Sequence, residues 1–124
     1  MRYLDEHKVN PANDTLTVAV TDEPGSGGAN HVYDISGYTQ DGRVANVTLH
    51  FQNGPISVDG NGVNGVTHEV LLAILADRLR SFQAGAYSCK ENACALTHIE
   101  EAQHWLQQRT LKRMRRGVEG THAV

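Results

Sequence analysis

The residues best able to do chemistry sit together near the end of the chain. Arg109, Lys112, Arg113 and Arg116 recur at three- and four-residue spacing, and Trp105 precedes Arg109 by four. On a helix these five share one side. Arginine forks match phosphate oxygens two at a time, and a flat aromatic can stack a base. Together they suit a ligand that carries phosphate and a ring. A helix C-terminus also favours cations on its own account, with Trp105 then part of a core, and spacing alone does not choose between the two.

Other reactive residue types form no recognisable constellation. The seven histidines, His7, His31, His50, His68, His98, His104 and His122, make no HExxH pattern, and His98 and His104 stand six apart on different helix faces. Glu100 and Glu101 are neighbours and cannot face one site together. The serines lie in no nucleophile elbow. Cys89 and Cys94 form no CxxC pair. Five apart on one helix they would diverge by about 140°, so they read as small buried or half-buried residues rather than a disulfide. The glycine loop PGSGG lacks the Lys-Ser/Thr of a phosphate-binding loop and no helix follows it, so it reads as a mobile hairpin loop. These residues predict a binding protein with no catalytic site, no metal and no cofactor.

The elements that must position the basic stripe follow from composition and period. The chain has 124 residues, 40% hydrophobic and 20% charged, which suits one globular domain or two very small ones. No apolar run approaches the ~20 residues of a membrane helix, and the start MRYLDEHKVN has no signal-peptide core, so a cytoplasmic location is the default expectation. A net charge of −3 argues against a chain that simply coats nucleic acid.

Nine of the twelve glycines fall before residue 66, and the composition changes there. We therefore expect an α+β fold: a small N-terminal antiparallel β-sheet over residues 1–65 and an antiparallel helical hairpin over 66–124. Residues 16–20 alternate as a half-buried strand, 31–38 form a second with Tyr33 and Ile35 on one face, and Gln40-Asp41-Gly42-Arg43 makes a hairpin turn. A third strand over 45–52 places Val47, Leu49 and Phe51 inside. A short strand over 56–58 and a glycine-rich joint, DGNGVNG, complete the unit.

The first helix is expected over 67–84, stopped by Gly85, and the second over 89–116, with Ser88 as N-cap, Glu91 closing a capping box and Gly117 as the stop. Their lengths, ~27 and ~42 Å, leave residues 107–116 overhanging the partner helix by ~15 Å. That tip holds five basic residues and no acid, which leaves −8 on the rest of the chain. A helical tip with five like charges should fray unless a second subunit, the sheet or an anion holds it. The polar tail GVEGTHAV follows directly and could fold back over a bound anion.

The runs NGVTHEVLLAILADRLRSFQAG, CKENACALTHIEEAQHWLQQRT and RRGVEGTH resemble the phage Thoeris anti-defence sponge family, most clearly over residues 53–124. LTVAVTDEPGSGGANHVY and FQNGPI are similar to that family's small β-domain. The hairpin also resembles that of a related sponge family that sequesters cyclic dinucleotides of the CBASS system. The resemblance implies binding and sequestration, without cleavage, of cyclic ADP-ribose isomers made in Thoeris immunity. It further implies homodimers formed through the helices, with two interface pockets. Some members assemble into hexamers, as trimers of dimers, which add sites for cyclic oligonucleotides.

By the same resemblance Phe82 lines the pocket against an adenine, Asn92 is a polar pocket residue, and Arg109 and Arg113 meet the pyrophosphate. Arg116, Thr121 and His122 join the ligand-binding set by position. The turn QAGAYSCKENAC departs from the Pro-Phe-type turn expected of the family. The residues leave two alternatives open beside the sponge. One is a nucleic-acid-binding phage protein; the other is a structural oligomer whose arginines pair across subunits with Glu100, Glu101 or Glu119.

Overall fold

The computed structural model describes residues 1–56, 60 and 62–117, in two compact units, Met1–Gly65 and Val66–Val124. The first is a four-stranded antiparallel sheet of β1 (Arg2–Leu4), β2 (Leu16–Val20), β3 (Val32–Thr39) and β4 (Gly42–His50), paired in that order. Opposed residues of an antiparallel pair share a face. The register aligns Leu4, Val18, Ile35 and Val47 in one row and Val20, Tyr33 and Leu49 in the next. The Phe51 ring meets Tyr33 edge-on at 5.5 Å. The opposite face carries Thr17, Asp34, Ser36, Asn46 and Thr48, and the Thr48 hydroxyl donates to Asp34 at 3.0 Å.

The dry side of β4 is less dry than alternation predicts. Val47 remains 48% exposed, because β4 is an edge strand with a neighbour on one flank only. The β3–β4 hairpin closes on the Thr39–Gly42 pair, with the left-handed conformation taken by Gly42 (φ 116°) and not by Asp41.

Two elements of this unit were not foreseen: β1, and the single helical turn α1 (Pro11–Asp14). Asn10 caps α1 by accepting the Asn13 N–H at 2.8 Å, and Pro11 sits where a missing N–H costs nothing. Asp22 and Asn30 tie the following glycine loop. The Asp22 carboxylate accepts the N–H groups of His31 at 2.9 Å and Val32 at 3.1 Å, and Asn30 donates to the Asp22 carbonyl at 2.7 Å. Partial desolvation works against the Asp22 charge. The His31 and Val32 N–H groups, its own N–H and the His31 ring outweigh that, and the carboxyl titrates below its ordinary value. Of the strand expected over 56–58, Ile56 is in no strand and residues 57 and 58 lie outside the described residues, as does part of the DGNGVNG joint. Of what is described, Gln52 donates to the Gly62 carbonyl at 2.8 Å, and Asn64 exchanges two hydrogen bonds with the Asn53 backbone.

The second unit is a helical hairpin of α2 (His68–Gln83) and α3 (Lys90–Arg115). Thr67 caps α2, its side chain accepting the Val70 N–H at 3.3 Å. The start of α3 differs from the capping box. Cys89, not Ser88, is the N-cap, and its Sγ accepts the Asn92 N–H at 3.4 Å. The cause is Gln83, whose carboxamide accepts the Cys89 N–H at 3.0 Å and donates to the Cys89 carbonyl at 3.1 Å. That pairing holds Cys89 extended (φ −155°, ψ 164°), so the helix begins after it. Gly85 does not end α2 in a left-handed conformation; Ala84 caps it in ordinary helical geometry. Gly117, at φ 70°, does end α3 as expected. Both cysteines are free and exposed rather than buried.

Among the described residues, Val20 and Ala76 are the hydrophobic side chains that are fully buried. Val70, Ile74, Leu75 and Phe82 of α2 and Leu111 and Met114 of α3 stay exposed in the single chain. No described helix is long and apolar enough to cross a membrane.

Candidate functional site

Helix α3 has 26 residues against 16 in α2, an excess of ten, or ~15 Å of helix. The excess comes at the C-terminal end, where the basic stripe lies. An open groove of about 560 Å³ runs along this face, lined among the described residues by Trp105, Gln108, Arg109, Lys112, Arg113 and Arg116. That volume falls within the range of small-molecule sites. Among the described residues, four of the six that line the groove are cationic and none is acidic.

The helix dipole explains only part of this charge. It amounts to roughly half a negative charge at the C-terminus, which four cations exceed several-fold. Like charges at three- and four-residue spacing also repel one another by a few tenths of a kcal/mol per pair.

The arginines differ in setting. Arg109 is exposed, whereas Arg113 is only 7% exposed. A guanidinium withdrawn that far from water must be met by acceptors, and both Arg113 and Arg116 are engaged in further interactions. Trp105 is 68% exposed, with the His104 ring against it at 5.4 Å and 72°.

The other sequence-predicted residues form a second cluster, at the hairpin turn. Phe82 is flanked by the Arg78 guanidinium, 5.5 Å from its ring centre, and by Tyr87, edge-on at 6.2 Å. Asn92 donates from Nδ2 to the Tyr87 carbonyl at 3.4 Å while its N–H meets Cys89. Phe82 and Asn92 thus come together around Tyr87. They do not meet the arginines within one chain: Asn92 and Arg109 lie on the same uninterrupted helix, 17 residues or ~26 Å apart. Thr121 and His122 lie outside the described residues.

Sequence reasoning missed three neighbours. Arg78 and Phe82 stand at i and i+4, as do Gln108 and Lys112, so that spacing could have found Arg78 and Gln108. Tyr87 sits in the turn, where no period speaks for it. Among the described residues, Glu100 is paired with Arg80 at 3.0 Å rather than with the basic stripe. No three described His, Cys, Asp or Glu side chains converge as a metal site would require.

The family described as Acb2/Tad1, hairpin domain, matches residues 46–111, a span that includes Phe82, Asn92 and Arg109. The chain is also similar to Thoeris anti-defense 1 of Bacillus phage SBSphiJ7, with 49% identity over 75 residues, 60% of this chain and 51% of the relative. The chain thus spans about half the length of the curated relative it matches.

Proposed function

Since the chain belongs to the Acb2/Tad1 hairpin-domain family, we propose that it is a phage anti-defence sponge. It binds cyclic ADP-ribose isomers of the Thoeris type and holds them uncleaved, which deprives the downstream effector of its activator. The observation that carries this is the cluster of Arg109, Lys112, Arg113 and Arg116 along one groove beside an exposed ring. The anti-defence name of the phage relative supports the role. A phage protein acting on a host signal works in the bacterial cytoplasm.

The pyrophosphate lies across Arg109 and Arg113, with Arg116, Thr121 and His122 closing the pocket and Phe82 against the adenine. A ligand of this size cannot span the ~26 Å between Asn92 and Arg109 of one chain. Two antiparallel copies of α3 in a homodimer bring the Phe82–Asn92 end of one chain to the basic end of the other, and two-fold symmetry makes two such pockets. The exposed Val70, Ile74, Leu75, Leu111 and Met114 supply apolar surface for such an association. A hexamer, as a trimer of dimers, would add sites for cyclic oligonucleotides. Charge-assisted hydrogen bonds contribute roughly 1.5–3 kcal/mol each, so about four to six of them, less the ordering cost, reach nanomolar affinity.

Calorimetry with a glycosyl-cyclic ADP-ribose tests this. Tight binding that Arg109→Ala weakens by about a hundredfold is expected, the loss of roughly one strong charge-assisted contact. Equal affinity in the wild type and the variant would remove Arg109 from the site.

A further inference from the structure

Phe82 is the penultimate residue of α2, with no further helical turn beyond it to hold its side chain. Helical side chains lean back toward the N-terminus, so Phe82 falls over Arg78, one turn earlier. There the Arg78 guanidinium lies over the ring, 5.5 Å from its centre. Tyr87, from the turn that follows, meets the same ring at 79° and 6.2 Å. Both contacts are made within one hairpin and need no second chain.

Arg80, two positions on from Arg78, pairs with Glu100 across the hairpin at 3.0 Å. Among the described residues Arg78 enters no such ion pair, and its guanidinium meets the ring instead. A cation over an aromatic face is held by the ring's quadrupole and restricts the ring in turn. It also draws π density toward itself, which makes the far face a better surface for an electron-rich base. A base brought to Phe82 is therefore directed to the face away from Arg78, where it finds a ring already oriented and loses less on binding.

We infer that Arg78 is a positioning residue for base recognition: its guanidinium fixes the Phe82 ring, so that an adenine stacks on a surface ordered before the ligand arrives. Arg78 acts through the ring and touches no part of the ligand. This rests on the proposed function for the base that Phe82 receives, and adds to it a residue outside the basic stripe.

The chain has two phenylalanines, Phe51 and Phe82, so fluorophenylalanine incorporated into the full-length protein gives two fluorine signals in NMR, with Phe51 of the sheet unit as internal control. Phe82→Leu assigns them. Arg78→Ala is expected to shift the Phe82 signal and to leave that of Phe51 in place, and Arg78→Lys, which keeps a cation, to fall between Arg78→Ala and the wild type. Calorimetry then follows a glycosyl-cyclic ADP-ribose and, separately, inorganic pyrophosphate. Arg78→Ala is expected to weaken the cyclic nucleotide about threefold, the scale of one exposed cation–π contact, and Arg78→Lys to recover most of that loss. In a Phe82→Leu background Arg78→Ala should have no further effect. Pyrophosphate, which has no base, should bind wild type and Arg78→Ala alike. A loss in Arg78→Ala that is equal for both ligands, or that persists without Phe82, would overturn the positioning role and make Arg78 a general electrostatic contributor. An unmoved Phe82 signal would overturn it too. A wild type that binds no glycosyl-cyclic ADP-ribose, while Arg78→Ala still moves the Phe82 signal, would instead refute the sponge and leave the support of the ring by Arg78 standing.

Discussion

The carboxamide of Gln83 meets both backbone polar groups of Cys89, accepting its N–H at 3.0 Å and donating to its carbonyl at 3.1 Å. One side chain thereby does the work of a short strand pairing. It fixes the residue before α3 as extended and sets where the long helix begins, and so where its basic end falls.

Removing that pairing should loosen the hairpin. Gln83→Ala is expected to cost about 1–3 kcal/mol, the usual net worth of two hydrogen bonds. Cys89→Ser should be neutral or stabilising by up to ~1 kcal/mol, since a hydroxyl oxygen caps better than sulfur. Urea unfolding followed by circular dichroism measures both; an unaltered midpoint in Gln83→Ala would show that the pairing carries no stability.

Asp22 predicts an acid response of the sheet unit. Its carboxyl is held below the value of 3.8 that it has when unfolded, because the His31 and Val32 N–H groups favour the charged form over the opposing effect of desolvation. A depressed folded value means that the stabilisation is fully present above pH 3.8 and is lost as pH falls through the folded value. Asp22→Asn keeps one acceptor in place of two and should lower Tm at neutral pH. The gap in Tm between wild type and variant should close below pH 3.8; a gap that stays constant into acid would contradict this.

The fold was legible wherever one local pattern decided it. Thr67 and the apolar period gave the start of α2, Gly117 the end of α3, and strict alternation gave Leu16–Val20. β1 was hidden because three residues carry no period and their pairing with β2 spans a chain reversal. α1 was readable from Asn10-Pro11, a cap followed by a first-turn proline, and was overlooked. The Cys89 cap was not readable from Ser88 and Glu91, because the deciding contact comes from Gln83, outside the capping box. At the site, the helical period brought Trp105, Arg109, Arg113 and Arg116 into one groove. Period could not show that Arg113 would be withdrawn from water while Arg109 stayed exposed.

That difference separates two arginine variants that look equivalent in sequence. Arg109→Ala should weaken ligand binding with a change in stability below ~0.5 kcal/mol, as for other exposed substitutions. Arg113→Ala strips a buried guanidinium from its partners and should also cost about 3–5 kcal/mol of stability. Thermal unfolding of both, beside calorimetry, checks the split; equal stabilities would show that Arg113 acts in binding alone.

Crowded cations should make the hairpin responsive to anions. A ligand at a hundred times its Kd adds about 2.7 kcal/mol to stability. A glycosyl-cyclic ADP-ribose is therefore expected to raise Tm by several degrees, with pyrophosphate giving a smaller rise and Arg109→Ala abolishing most of both. Tm scans at fixed ionic strength decide it, since salt alone screens these repulsions.

The most direct test of sequestration is recovery of the bound molecule. Protein is incubated with a glycosyl-cyclic ADP-ribose, freed of unbound ligand by filtration and heated, and the released small molecules are identified by mass spectrometry. Intact ligand in near-stoichiometric amount from the wild type, and little from Arg109→Ala, is the expected result. Release of a cleaved product, or no ligand at all from folded wild-type protein, would contradict it.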